Sequence, residues 1–549
     1  MRKFLLSLFL LLVVLAGQQS SASSEFEKYS WPPVIDSEKS ADRTTGYSWV
    51  SNDSFVGDAR GGEGVSRISV APDVQPSCTS FLDPLCVNLI TSGNSGWWSN
   101  MVLDACAKFE GRYPCIEGVS IMEGQNSRSL TFDRYVPTNT WQPDDSRNVP
   151  PGGAASLWKD PSGSDDLRYL VIFAGPISWP DARKPISGVP SLLSEFQASI
   201  TATKVLKGDF KPDFRSTNEQ GIPQWVGTAP LYCLWVAIGE CGYKTEFPSG
   251  AKFQLSSNIP NNFSGFLIGR MKDPTVEITP IARNMINLKV TAEPIMIPLL
   301  KGVTRSENAS EAIIDHFNNP EKYFCPSTDA TCRKGMISIG TASSGTTAFE
   351  YFSLFESYFA KEAALMVPVW SFRNHPANLG QCSNSSYFQG LVSTNAAIYE
   401  GDPPKLIDGE LVYRVAGVHL DSAGRIFQGS YDLLIQSSVG RCLYKLDQRP
   451  IRATISIQNT SGENLVYTTS FREKDGWIKM SANGFTFSQP TIKVALRQDE
   501  SAPLPTPTPS ASPTIKPVGE KKSITCVKGK RVKKVVNENP KCPKGFKKR

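Results

Sequence analysis

Histidine is scarce in this chain, and the sequence patterns that mark common enzyme sites are missing. The 549 residues include three histidines, His316, His375 and His419, and no H-E-x-x-H zinc pattern. No G-x-S-x-G nucleophile elbow, P-loop or dinucleotide-binding glycine pattern occurs either. These absences argue against the enzyme classes that such patterns mark, and we interpret each histidine as structural.

Long apolar runs are also missing, apart from a short one near the N-terminus. Phe4–Leu15 is apolar except for Ser7, follows Arg2 and Lys3, and precedes the small residues 20–22. This arrangement is typical of a signal peptide, which we predict at residues 1–22. An uncleaved membrane anchor is the alternative, but a span needs about 20 apolar residues. We therefore expect a secreted, extracellular or cell-envelope-associated protein.

The chain has no C-x2-C pair, and its cysteines are spaced for disulfides. The 12 cysteines are Cys78, Cys86, Cys106, Cys115, Cys233, Cys241, Cys325, Cys332, Cys382, Cys442, Cys526 and Cys542. An even number in an exported chain favours disulfides, although sequence alone does not fix their connectivity. Nearest-neighbour spacing predicts the pairs 78–86, 106–115, 233–241, 325–332, 382–442 and 526–542. A metal site is the alternative, but the spacing does not fit zinc, and we expect neither metal nor cofactor.

The remaining sequence predicts a mainly β protein. Short alternating or apolar runs separated by turn signals indicate a β-rich N-terminal domain at residues 23–300. A helix-containing segment follows at 301–380, where apolar residues repeat with helical spacing through Thr346–Leu365. We expect Phe352, Phe355 and Phe359 to pack on a sheet. Residues 381–500 contain short runs about ten residues apart, among them RCLYKL and FTFS, with turn signals between them such as Ala-Asn-Gly before FTFS. These runs predict the strands of an immunoglobulin-like β-sandwich.

A proline-rich linker and a basic C-terminal tail complete the predicted organisation. The linker covers residues 501–518 and has the composition of an extended spacer. The C-terminal tail, residues 519–549, contains two cysteines and a large excess of Lys and Arg over Asp and Glu. From Ile515 onward there are 13 Lys or Arg and two Asp or Glu, a net charge of +11. Since the whole chain carries +6, the preceding residues carry −5.

The C-terminal tail resembles a recurrent element of exported actinobacterial proteins, most of which are uncharacterised. The resemblance lies in ITCVKGK, the basic strand after it, and PKCPKGFKK. It implies export and surface association, and no activity. The residues independently predict a hairpin, because Ile524–Val527 and Arg531–Val536 flank a Lys-Gly-Lys turn that a Cys526–Cys542 bond would close.

We expect the C-terminal tail to hold the protein to a polyanion, either an anionic cell-envelope polymer or anionic lipid headgroups. The predicted binding residues are Lys528, Lys530, Arg531, Lys533, Lys534, Lys544, Lys547, Lys548 and Arg549. A tail that only maintains solubility is the alternative. We expect no nucleic acid partner in vivo.

For the body we favour a structural or glycan-binding role without catalysis. The alternative is a secreted hydrolase with paired carboxylates, of which no pair stands out among 52 acidic residues. The sequence does not predict the oligomeric state.

Overall fold

The fold is given by a computed structural model. It describes residues 46–52, 67–70, 97–136, 143, 151–179, 196–210, 216–217, 223–224, 233–261, 263, 265–318, 336–342, 344–359, 365–376, 380–382, 388–421, 424–458, 462, 467–487, 490–498, 522–529, 531–537 and 541–549. The predicted signal peptide and linker, the cysteines at 78, 86, 325 and 332, and Lys530 lie outside the described residues.

Strands dominate the described residues. The first are β1 (Gly46–Asn52), β2 (Arg67–Val70), β3 (Trp97–Val102), β4 (Asp104–Ala105), β5 (Cys115–Glu123), β6 (Asn126–Ser129), β7 (Thr131–Tyr135), β8 (Ser156–Lys159), β9 (Leu167–Trp179), β10 (Gln197–Lys207), β11 (Ser216–Thr217) and β12 (Pro223–Gln224). Next come β13 (Cys233–Ala237), β14 (Glu240–Lys244), β15 (Lys252–Pro260), β16 (Gly265–Arg270), β17 (Lys272–Ile281), β18 (Met285–Glu293), β19 (Ile295–Leu299), β20 (Lys301–Arg305), β21 (Met336–Ala342), β22 (Leu365–His375) and β23 (Phe388–Thr394). The last are β24 (Ile398–Tyr399), β25 (Lys405–Ile407), β26 (Glu410–Ala416), β27 (Gln428–Gln436), β28 (Ile451–Gln458), β29 (Thr468–Lys474), β30 (Trp477–Thr486), β31 (Thr491–Gln498), β32 (Lys522–Lys528), β33 (Arg531–Asn537) and β34 (Lys547–Lys548).

Helices are few in the same residues. The α-helices are α1 (Glu311–Asn318), α2 (Thr346–Phe359) and α3 (Ser437–Leu443), and 3-10 turns cover Cys106–Phe109, Ser306–Asn308 and Gly380–Cys382. The predicted mainly β fold is therefore confirmed. None of the helices in the described part of the chain has the length and apolar character of a membrane span.

One large sheet organises the body. Its main path follows the order β2-β3-β9-β10-β22-β16-β23-β27-β30-β29. Strands from all three predicted body regions, 23–300, 301–380 and 381–500, thus lie in a single sheet. The boundaries themselves remain predictions. The chain divides into two compact units. One comprises Met1–Leu446 and Ile451–Arg497, and the other comprises Asp447–Pro450 and Gln498–Arg549.

A six-stranded sheet covers one face of the large sheet. Its order is β17-β18-β15-β5-β4, with β6 paired to β5. Alternate side chains of β9, including Val171 and Phe173, enter a shared core with Phe253 and Leu255 of β15. The intervening side chains of β9, such as Ile172, enter a different core. Because β9 is buried on both faces, its sequence is almost continuously apolar rather than alternating.

A five-stranded sheet packs on the opposite face, toward the C-terminal end of the large sheet. It contains β24, β26, β31 and β28, with β25 at its side. Tyr413 and Val494 from this sheet share a core with Leu433 and Met480 from the large sheet. Two packed sheets are thus present where a sandwich was predicted. The immunoglobulin-like character of that pair remains a prediction.

Helix α2 lies on a separate three-stranded sheet made of β20, β1 and β21. The predicted burial of Phe352, Phe355 and Phe359 is confirmed, since each side chain is at most 6% exposed. The predicted C-terminal end was wrong. The helix ends at Phe359, and Leu365 begins β22, where Pro368 pairs with Met296 of β19.

Two local predictions near the C-terminus of the body were also wrong. The run RCLYKL was predicted as a strand, but its first residues belong to α3, whose Val439 packs in the core. A short apolar run fits either structure, and tertiary packing decides between them. The Ala-Asn-Gly turn predicted before FTFS is a bulge inside β30. Gly484 supplies its positive φ of 83°, which a residue with a side chain adopts less readily.

Candidate functional site

The C-terminal tail folds around a β-hairpin. Strands β32 and β33 pair antiparallel, with Lys528 opposite Arg531 and Cys526 opposite Lys533. Gly529 lies in the connecting turn with a φ of 57°. A tight turn between right-handed twisted strands requires positive φ, which glycine adopts without a steric cost. The hairpin predicted from the Lys-Gly-Lys sequence is therefore confirmed.

A third strand and a disulfide complete this small unit. Strand β34 pairs with the other edge of β32, so that Lys548 lies opposite Cys526 and Lys547 opposite Val527. The backbone N–H of Arg549 donates a 2.9 Å hydrogen bond to the Thr525 carbonyl. The predicted Cys526–Cys542 bond is present, and Cys526 is fully buried. A unit this small has little apolar core, so the disulfide replaces part of the missing core stabilisation.

The strand pairing sorts the tail cations onto two faces. Directly paired residues of neighbouring strands project to the same side of a sheet, and successive residues project to opposite sides. We call the side that bears Lys528, Arg531, Lys533 and Lys548 the cationic face. We call the side that bears Thr525, Val527, Val532, Lys534 and Lys547 the valine face. The sequence prediction treated these cations as one set, because it did not include the strand register.

Positive charge dominates the described part of the tail. Residues 522–529, 531–537 and 541–549 contain ten Lys or Arg and no Asp or Glu. Lys528, Arg531, Lys533 and Lys534 are exposed, as are Lys544, Lys547, Lys548 and Arg549. Such a surface attracts polyanions over roughly the Debye length of about 8 Å at physiological salt. Lys530 lies outside the described residues.

The predicted disulfides 106–115, 233–241 and 382–442 are confirmed together with 526–542. Four disulfides are typical of chains that fold in an oxidising, extracellular environment. The pairs 78–86 and 325–332 lie outside the described residues and remain predictions.

Peptide mapping without reduction is expected to recover Cys78 joined to Cys86, and Cys325 joined to Cys332. The reason is that four of the six nearest-neighbour pairs are already present in the described residues. The four observed bonds serve as internal controls. Recovery of a free thiol at any of these positions, or of a crossed peptide, would contradict the pairing.

The body contains a partly buried charged cluster that the sequence did not reveal. Asp273 lies at a bulge of β17 and accepts hydrogen bonds from the ammonium groups of Lys252 and Lys479. Its backbone N–H donates a 3.0 Å hydrogen bond to Asp432, which also accepts one from the Ser481 hydroxyl. The cluster therefore joins the six-stranded sheet to β27 and β30 of the large sheet.

The two carboxyls of this cluster have opposite pKa shifts. Burial raises the pKa of Asp432, and the Ser481 hydroxyl and the Lys479 ammonium only partly oppose this. Burial also acts to raise the pKa of Asp273, but Lys252 and Lys479 outweigh it, so that pKa is lowered. No local sequence pattern predicts this cluster, because Asp273 and Lys479 are 206 residues apart.

A surface cleft of about 230 Å³ lies between the 246–251 loop and the start of β19. Glu246 and Glu293 contribute carboxylates, while Phe247, Met296 and Pro368 contribute apolar surface. Glu293 also lies 3.8 Å from the Lys252 ammonium. The cleft is smaller than the roughly 300–1,000 Å³ typical of ligand pockets.

The histidines are scattered and held by neighbouring groups. His316 is buried beside the Tyr351 hydroxyl at 3.3 Å. His375 lies 3.3 Å from the Asp402 carboxylate, and His419 lies 3.2 Å from the Phe487 carbonyl. These contacts fit the structural roles predicted from sequence.

The comparisons with known proteins give no relative: no family model, no curated protein and no solved structure matches this chain.

Proposed function

We propose that this protein is exported and held at the cell envelope by its C-terminal tail, which binds a polyanion. The observation that supports this is the three-stranded disulfide unit, on which ten Lys or Arg stand without an acidic residue among the described positions. Pairing in a three-stranded sheet fixes the backbone of these residues before binding, which reduces the entropy lost on association. Residues 1–514 carry a net −5, so the attraction to a polyanion comes from the C-terminal tail.

Export and surface location are supported by three sequence and structural features. These are the signal-peptide pattern at residues 1–22, the disulfides, and the resemblance of the tail to exported actinobacterial proteins. The proposed partner is an acidic polymer of the envelope, with anionic lipid headgroups as the other source of the same charge.

For the body we propose a structural or glycan-binding role. Its large sheet is covered on both faces along β9 and β27. The second candidate is a hydrolase that uses Glu246 and Glu293, because both carboxylates line the same cleft. The small volume of that cleft makes the binding or structural role the better supported of the two.

Removal of the C-terminal tail is expected to abolish retention on isolated cell envelopes. Full-length protein and a truncation ending at Pro517 would be incubated with envelopes over a salt series. Full-length protein should sediment with the envelopes at low salt and be released as salt rises, losing about ten-fold in affinity or more. The truncation should stay in the supernatant at every salt concentration. Equal retention of both proteins, or retention that is indifferent to salt, would contradict the proposal.

A further inference from the structure

The cationic face carries more of the positive charge of the paired strands than the valine face does. Across one row of the sheet, Lys533, Cys526 and Lys548 lie side by side on three strands. Arg531 and Lys528 occupy the next row on the same side. The valine face carries Lys534 and Lys547, and Arg549 follows on the same side opposite Thr525. The Val532 side chain on this face is 62% exposed.

We propose that the cationic face, rather than the total charge of the tail, binds neighbouring phosphates of a linear phosphodiester polymer. This inference rests on the proposed retention function and specifies its surface and its ligand. Lysine ammonium groups are compact point charges that suit phosphate oxygens, and Arg531 adds a planar pair of donors.

The spacing of the cations supports a ligand with regularly repeated charge. Residues two apart on a strand are about 7 Å apart, which separates Arg531 from Lys533. Strands lie about 4.8 Å apart, so Lys533 and Lys548 on the two outer strands are about 10 Å apart. A phosphodiester chain with three carbons between phosphates has six backbone bonds per repeat and extends about 7 Å. The spacing of two successive phosphates therefore matches the backbone spacing of Arg531 and Lys533 along β33.

The disulfide fixes this arrangement before the ligand arrives. Cys526 is 0% exposed at the centre of the row that carries Lys533 and Lys548. Its bond to Cys542 anchors the loop that leads to β34. Gly545 in that loop lies against the Lys528 ammonium, because a Cβ placed there would be 3.1 Å from Nζ. The disulfide thus holds the backbone beneath the cationic face, and Gly545 packs against one of its side chains, Lys528.

The sequence offers a matched pair of variants that tests the face directly. Lys533→Gln with Lys548→Gln removes two charges from the cationic face. Lys534→Gln with Lys547→Gln removes two charges from the same two outer strands, one residue away, on the valine face. Both variants would be made in the full chain, and non-reduced peptide mapping would confirm that Cys526–Cys542 forms in each.

Binding would be measured to poly(glycerol phosphate) at low salt, with polygalacturonate and phosphatidylglycerol vesicles as parallel probes. The cationic-face variant is expected to lose about ten-fold in affinity for poly(glycerol phosphate), and the valine-face variant about two-fold. Equal losses would show that binding follows net charge and would overturn the face assignment while leaving retention intact. Tighter binding of wild type to polygalacturonate or to the vesicles would overturn the phosphodiester assignment. Failure of the full-length protein to bind any of these probes or cell envelopes would instead contradict the proposed function.

Discussion

Phe355→Ala is expected to lower the free energy of unfolding by about 3–5 kcal/mol. Phe355 is fully buried between α2 and the β20-β1-β21 sheet, and its ring lies 6.2 Å from that of Trp49. At Gly302 of β20 a Cβ would come within 2.7 Å of the Phe355 ring. Because the helix approaches the strand this closely, the backbone has little room to collapse into the cavity that alanine leaves.

Chemical denaturation of wild type and variant would measure this loss. Ser357→Ala provides the control, since Ser357 is exposed on the same helix. Its effect should stay within about 0.5 kcal/mol. A loss below about 1 kcal/mol for Phe355→Ala would mean that the aromatic stripe does not form a tightly packed core.

The elements that were predicted correctly are those whose pattern is local. The stripe of Phe352, Phe355 and Phe359 repeats at helical spacing, so its buried side follows from the sequence alone. The tail hairpin follows from a Gly turn between two β-prone runs. Helix α3 was missed because its seven residues do not distinguish helical from strand periodicity.

The arrangement of the sheets was not predictable from such local patterns. Strand β16 joins the sheet between β22 and β23, both of which lie about 100 residues later in the chain. Which strands pair with each other depends on tertiary packing, which cannot be deduced from a single sequence. For the same reason, the sequence did not predict on which face of the tail sheet each lysine lies. That position depends on how β33 and β34 pair with β32.

Lys479→Met is expected to destabilise the body by about 3 kcal/mol at neutral pH. Lys479 is 8% exposed and donates hydrogen bonds to Asp273 and, at 3.0 Å, to the Pro274 carbonyl. Removing one partner of a buried charge cluster costs about 3–5 kcal/mol. We take the lower value because the Asp273 side chain is 46% exposed and keeps Lys252 as a partner.

The pH dependence of this loss follows from the two carboxyls that Lys479 faces. The pKa of Asp432 is raised in the folded protein, so folding favours the protonated carboxyl. This contribution to stability is complete below the unfolded pKa of about 3.9 and is lost as pH rises through the folded pKa. The lowered pKa of Asp273 gives a contribution that is present above about 3.9 and is lost as pH falls through its folded pKa. Lys479 lowers both pKa values, so its removal raises the Asp432 pKa further and weakens the depression at Asp273. Both changes reduce stability when the carboxyls are ionised, and neither does so once they are protonated.

Unfolding free energies measured from pH 7 down to about pH 4 would therefore show a deficit for Lys479→Met that shrinks as Asp432 becomes protonated, whereas the Asp273 contribution changes only below about pH 3.9. Lys474→Met is the matched control, because this lysine lies on the neighbouring strand β29 with a side chain that is 66% exposed. Adding Asp432→Asn to Lys479→Met should recover part of the loss at neutral pH, since the amide removes the buried negative charge that the Lys479 ammonium no longer offsets. A deficit that is constant over this pH range, or a double variant no more stable than Lys479→Met alone, would show that Lys479 acts through packing of its carbon chain instead of its charge.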